Sequence, residues 1–139
     1  MKKLYVVGNR ASKSLSPTIF NYWFKKYNIK ASYGYLELTK KNFHKKIKEV
    51  LEKKDTLGLN VTIPFKNKII KHLGKIDTHA KKIGAVNCVT NKKTINGTNT
   101  DWTGYYKTLP NIKKTKNRKV IILGYGGASH AIHYVLKKR

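Results

Sequence analysis

At 139 residues the chain has room for one ordinary domain, or a small domain plus part of another, and its 40% hydrophobic fraction is that of a folding sequence. Against six acidic residues stand 31 basic ones, giving a formal charge of +25. All but Arg10, Arg118 and Arg139 are lysines scattered in ones and twos, with no zinc-finger or RNP signature. This argues against an arginine-based reader of base edges and favours a Lys-rich solvated surface that attracts polyanions without specificity.

Residues 3–8 (KLYVVG) form an apolar, β-branched run that stops at Gly8 and predicts a buried strand. Ser16 followed by Pro17 reads as a helix N-cap and first helical position, and Ile19, Phe20, Trp23, Phe24 and Tyr27 then recur at helical spacing. Residues 32–38 read as a second strand, after which Thr39 caps a helix carrying Phe43, Ile47, Val50 and Leu51. A third strand is expected over 57–61, interrupted by Pro64, and a short helix over 66–73. Residues 86–90 and 94–95 flank Asn91, Lys92 and Lys93 as a hairpin, residues 101–109 read as a helix, and 110–117 as a polar linker. Strand 119–123 (KVIIL), the glycine-rich turn GYGGAS and a helix from about His130 to Lys138 complete the pattern. Strands alternating with helices predict an α/β fold, a mostly parallel sheet flanked by helices, followed by the first β-turn-α unit of a Rossmann-like domain.

Chemistry is suggested first by that turn. Gly124, Gly126 and Gly127, with Ala128 and Ser129, sit between a strand and a helix, the setting in which backbone N–H groups meet a pyrophosphate. Taken alone, the same residues also suit an ordinary strand-to-helix connection. No Lys-Ser or Lys-Thr pair follows the turn, which argues against a Walker A loop. Cys88 is the single cysteine, so no disulfide forms within the chain, in keeping with a cytoplasmic location. No apolar run reaches signal-peptide or membrane-span length, so no membrane partner is expected. His130 and His133 lack a third ligand, no metal site is expected, and all five His are read as surface or packing residues.

Five motifs occur in order: GNRASKSLSP at 8–17, NVTIPFK at 60–66, GAVN at 84–87, GTNTDWTG at 97–104 and GYGGAS at 124–129. Together they resemble the shikimate dehydrogenase family over the whole chain. The resemblance implies reversible, NADPH-dependent reduction of 3-dehydroshikimate to shikimate in aromatic amino-acid biosynthesis. It implies substrate contacts at Ser14, Ser16, Asn60, Thr62, Lys66, Asn87 and Asp101, with Lys66 catalytic and Asp101 its partner. It also implies NADP at Gly124, Gly126, Gly127, Ala128 and Ser129.

The chemistry is coherent, since hydride arriving at a carbonyl carbon leaves an alkoxide that an ammonium at Lys66 can protonate. A structural salt bridge is the alternative for the pair, and for Ser16 the cap and the substrate contact are compatible. Arg10 and Cys88 depart from the family pattern beside binding positions without removing a catalytic group.

Residues 1–109 are expected to form the shikimate-binding catalytic domain, and 110–139 a linker and the start of the NADP-binding domain. The residue that sorts NAD from NADP lies roughly 20 positions past the glycine turn, beyond Arg139. The chain by itself is therefore expected to bind shikimate weakly and to lack dehydrogenase activity. Quinate selectivity and a non-catalytic basic α/β binding module stay open as alternatives, and a homodimer is compatible with the sequence.

Overall fold

The computed structural model describes residues 1–109 and 119–138. Strand β1 (Lys2–Gly8) lies between β2 (Ala31–Glu37) and β3 (Thr56–Val61), both parallel to it. The chain steps from β1 to one side through α1 (Ser16–Lys26), then crosses to the other side through α2 (Phe43–Leu51). With right-handed crossovers, these opposite steps place the two helices on opposite sheet faces.

The side chains of β1 record this. Val6 packs with Tyr33, Phe20 and Phe24 under α1, whereas Val7 packs with Phe43, Ile47 and Phe65 under α2. Burial on both faces explains why β1 reads as an unbroken apolar run.

The sheet continues through β5 (Cys88–Asn91) and β6 (Ile95–Thr98) to the two-residue β4 (Lys75–Ile76), in the order β2-β1-β3-β5-β6-β4. The β3–β5 and β5–β6 pairs are antiparallel, so the six-stranded sheet is mixed and flanked by helices. Helix α3 (Thr78–Ile83) precedes β5, α4 (Asp101–Thr108) follows β6, and α5 (Gly127–Lys137) carries the glycine turn at its start. Among the described residues no helix is long and apolar enough to cross a membrane.

Several expectations need correction. Residues 119–125 take no strand conformation, and Ile121 and Leu123 are exposed. A strand is completed by a hydrogen-bonding neighbour, and among the described residues none lies beside this segment. The helix expected over 66–73 is a 3-10 turn, Lys68–His72, following the cis Ile63–Pro64 bond. The hairpin strands are shifted to Cys88–Asn91 and Ile95–Thr98, where Asn91↔Ile95 closes the ladder.

Of the apolar stripe expected on α1, Phe20 and Phe24, four apart, pack on the sheet, and Asn21 beside them bonds the Tyr33 backbone of β2. Ile19, Trp23 and Tyr27 lie on the neighbouring stripe and are exposed. The expected linker 110–117 lies outside the described residues.

Helix α3 and strand β4 were not anticipated. Asp77 accepts from the backbone N–H groups of His79 and Ala80, and Gly84 closes the helix at φ 72°, a capped start and left-handed stop written plainly in DTHAKKIG. The cap expected of Thr39 is corrected: α2 begins four residues later, Asn42 before it makes no side-chain cap, and Thr39 and Asn42 form a reciprocal pair across the preceding turn. Thr39 Oγ1 accepts from Asn42 N–H, and Asn42 Oδ1 accepts from Thr39 N–H.

Candidate functional site

In an open parallel sheet, ligands meet the crevice outside the carboxyl ends of the strands, at the point where the chain order reverses. Here that point is between β1 and β3. The loops that follow these strands, together with Asn87, border a cleft of about 750 Å³ lined by Asn9, Arg10, Ser14, Ser16, Asn60 and Lys66 among others. Gly8 permits the two loops to approach each other, because a Cβ there would lie 2.5 Å from Thr62 Cγ2.

Ser14 and Ser16 stand together, their hydroxyls 3.1 Å apart. Ser14 Oγ accepts from Ser16 N–H at 3.2 Å, and Ser16 makes no side-chain cap. The expected N-cap is thus corrected: α1 begins one residue earlier than Pro17 suggested, and the serine outside the helix binds its first amide.

Asn60, the last polar residue of β3, accepts at Oδ1 from the Tyr33 hydroxyl at 2.6 Å. The parallel registers Val6↔Asn60 and Leu4↔Tyr33 bring these two onto one face of the sheet. Burial first, then the nearby Cys88, pushes the Tyr33 phenol up to about 12, while a hydrogen bond with Ser16 acts the other way. Tyr33 is therefore a protonated donor at neutral pH. Stacked on Phe20 at a centroid distance of 4.6 Å, it is a site residue that the sequence analysis did not find.

Lys66 follows the fully buried Phe65, which stacks on Phe43 at 4.2 Å and so fixes the backbone at the cleft wall. Its carbonyl accepts from Val86 N–H at 2.7 Å. Its Nζ donates to Asp101 Oδ2 at 2.7 Å, with the two side chains 14% and 30% exposed. Such a partly buried, charge-assisted bond is stronger than a surface ion pair.

Asp101 is itself held. Asn87 Nδ2 donates to Asp101 Oδ1 at 2.8 Å and to Thr100 Oγ1 at 2.9 Å, while Asn87 Oδ1 accepts from Thr100 N–H at 2.8 Å. In this structure both amide hydrogens of Asn87 anchor the carboxylate and its helix.

Beneath this lies Asn99, only 3% exposed, donating to the Ala85 carbonyl and accepting from the N–H groups of Asp101 and Trp102. The N–H of Asn99 in turn donates to Asp77 Oδ2. The sequence analysis missed Asn99, although an Asn two residues before an Asp that opens a helix is a recognisable turn signal.

Helix α5 docks on α3 and α4. Ala131 packs with Ile83 and Ala85; Tyr134 OH lies 2.7 Å from His79 Nδ1, and His79 stacks on Trp102. At the start of α5, Gly124 has φ 106°, and a Cβ at Gly124 or Gly126 would meet open space. Ser129 Oγ donates to the Gly126 carbonyl and Ala128 is exposed. No acidic residue occupies the first turn. Among the described residues no group of three or more metal-ligating side chains occurs.

Fold and site define an α/β domain with a cleft at the switch point of its sheet, a lysine on the cleft wall bonded to an aspartate, and a glycine-rich helix start beside that lysine. The family model described as the shikimate dehydrogenase substrate binding domain matches residues 6–89, more than half of the chain. The chain belongs to this family.

It is 42% identical to the shikimate dehydrogenase (NADP(+)) of Staphylococcus aureus (strain Newman), covering 98% of this chain and 51% of that protein. The crystal structure of shikimate dehydrogenase from Aquifex aeolicus superposes with a TM-score of 0.86 at 35% identity, over 99% of this chain and 52% of that one. The enzyme from Thermus thermophilus in complex with NADP(H) and shikimate gives a TM-score of 0.81 at 28% identity, over 99% and 52%. The chain thus spans about half the length of the curated relatives it matches.

Proposed function

We propose that this chain supplies the substrate site and the proton-transfer pair of a shikimate dehydrogenase, which interconverts 3-dehydroshikimate and shikimate with NADP in the cytoplasm. The observation that carries the reading is the Lys66 Nζ–Asp101 Oδ2 bond of 2.7 Å at a cleft that Ser14 and Ser16 also line. Relatives of this family named for the same activity, one of them solved with shikimate and NADP(H), support it.

In this reading residues 1–109 are the substrate domain. The paired hydroxyls of Ser14 and Ser16 receive the substrate carboxylate, with the cations of Arg10 and Lys13 also lining the cleft. Asn60, its carbonyl committed to Tyr33, meets the substrate as an amide donor, and Thr62 offers a hydroxyl from the β3 side. NADPH bound at the turn would supply the hydride.

The turn fits its phosphates. Space is open over Gly124 and Gly126, the first turn lacks a carboxylate, and an α-helix of this length presents unsatisfied N–H groups there. Gly127, Ala128 and Ser129 would offer those groups. As the substrate's carbonyl oxygen becomes an alkoxide, Lys66 donates a proton to it, and Asp101, fixed by Asn87, keeps the ammonium aimed. In oxidation Lys66 takes the hydroxyl proton back.

Titrating the chain with shikimate by NMR should move the amides of Ser14, Asn60 and Lys66, and Ser14→Ala should weaken binding. In a complete enzyme that carries these residues, shikimate-dependent NADP+ reduction, followed by absorbance, should fall by orders of magnitude in Lys66→Ala while shikimate binding changes far less. Equal loss of binding and rate would make Lys66 a substrate-holding residue and overturn this assignment.

A further inference from the structure

The glycine at position 127 has no explanation in the dinucleotide fingerprint. Set on G-x-G-x-x-G, the turn places Gly124 and Gly126 on the first two glycines and Ser129 on the last, so Gly127 occupies a position open to any residue. Nor does the backbone require it. Gly84 and Gly124 are the described glycines with positive φ, and Gly127 is the first residue of a regular helix, where alanine is favoured over glycine.

What does exclude a side chain is Lys66. A Cβ on Gly127 would stand 2.8 Å from Lys66 Cβ, 3.0 Å from its Cδ and 3.4 Å from its Cγ. The glycine backbone therefore lies along the aliphatic stem of the lysine.

That stem has little freedom to yield. Its Cβ is fixed by a backbone tied to Val86 N–H, beside the fully buried Phe65, and its far end is tied to Asp101. On the other side, α5 is held against α3 and α4 through Ala131 and the Tyr134–His79 contact.

We propose that Gly127 is a positioning residue for Lys66: the bare start of α5 forms the wall against which the lysine stem is set, so that the glycine turn and the proton donor move as one unit. The proposal rests on Lys66 being the proton donor of the reaction above. A misplacement of about 1 Å in a reacting group can cost on the order of 100-fold in rate.

Two glycine variants separate this role from a general effect on the turn. A Cβ at Gly127 meets Lys66, whereas one at Gly126 meets nothing within 4 Å. In isotope-labelled chain, with Lys66 signals assigned through Lys66→Arg, Gly127→Ala should shift the Lys66 Cε and Nζ resonances and the Asp101 amide, and Gly126→Ala should leave them in place. Wild-type chain should show NOEs from the Gly127 α-protons to the Lys66 side chain, a readout that needs no variant.

In the turnover assay of a complete enzyme carrying these residues, Gly127→Ala should lower kcat by about 10- to 100-fold and displace the pH profile, with the KM for shikimate little changed. Gly126→Ala should act on the KM for NADP+. Absence of the NOEs, or Lys66 signals unmoved in Gly127→Ala, would overturn the proposal. Lys66 signals that move in Gly127→Ala, together with no turnover in a complete wild-type enzyme carrying these residues, would retain the packing role of Gly127 and reject the dehydrogenase assignment instead.

Discussion

Asn99 is a buried side chain that organises the start of α4. It joins the Ala85 carbonyl to the amides that open α4, and so sets where Asp101 faces Lys66. Replacing it with alanine leaves buried polar backbone groups unpaired, at a cost of about 1–3 kcal/mol. Asn99→Ala should lower the unfolding free energy by that amount, read from the urea midpoint and slope, and should perturb the Lys66 and Asp101 resonances in the folded fraction.

Tyr33 gives a second test at this scale. Its phenol is raised to about 12 in the fold, so the unfolded chain releases this proton first. The native state then holds more protons, and stability falls as pH rises from the ordinary tyrosine value of about 10 towards 12. Tyr33→Phe should flatten that alkaline loss, measured as the urea midpoint against pH. An unchanged slope would mean that Tyr33 ionises as freely in the fold as outside it.

Among the elements, α2 and the 3-10 turn Lys68–His72 are joined by an unusual contact, His44 Nδ1 to His72 Nε2 at 2.9 Å, with both rings edge-on to Phe43. The ring centroids lie 5.1 Å apart. That separation suits a proton shared head to head better than a face-to-face stack.

Burial first, and the neighbouring His44 second, hold His72 below the usual imidazole value. The folded state then binds fewer protons than the unfolded one. This contribution to stability is complete above about pH 6.5 and is lost as pH falls through the folded pKa. His72→Gln should reduce the loss of stability between about pH 7 and 5, read by urea unfolding. A slope identical to that of the unaltered protein would remove the pair as its source.

Across the whole molecule, a formal charge of +25 on 139 residues is carried almost entirely by lysines. The ion pairs Lys3–Asp55 and Lys46–Glu49 use two of the six carboxylates at the surface, leaving the excess of charge uncompensated. Duplex DNA should therefore bind weakly and without sequence preference, and its affinity should fall steeply between about 50 and 200 mM salt. Fluorescence anisotropy with two unrelated duplexes checks this. Sequence-selective binding that survives the higher salt would point to a nucleic-acid role.

The order of strands and helices from β1 to β3 was legible in the sequence, because local periodicity carries it, and short motifs singled out Ser14, Asn60 and Lys66, which the fold brings to one cleft, and Asp101, which it pairs with Lys66. Three things were not. The KVIIL run has the composition of a strand, but pairing is a property of two segments, and among the described residues none stands beside it.

The hydrogen-bond chain from Asp77 through Asn99 to Asp101 joins residues 22 and 2 positions apart, and only the fold brings its first link together. Likewise Gly127 reads as part of a phosphate turn until α5 is docked on α3 and α4. Sixty-one positions earlier in the chain, the lysine stem then explains the missing side chain. Sequence determined which groups could do chemistry here; tertiary packing decided how they are held, because hydrogen bonds and steric contacts depend on distance in space and not along the chain.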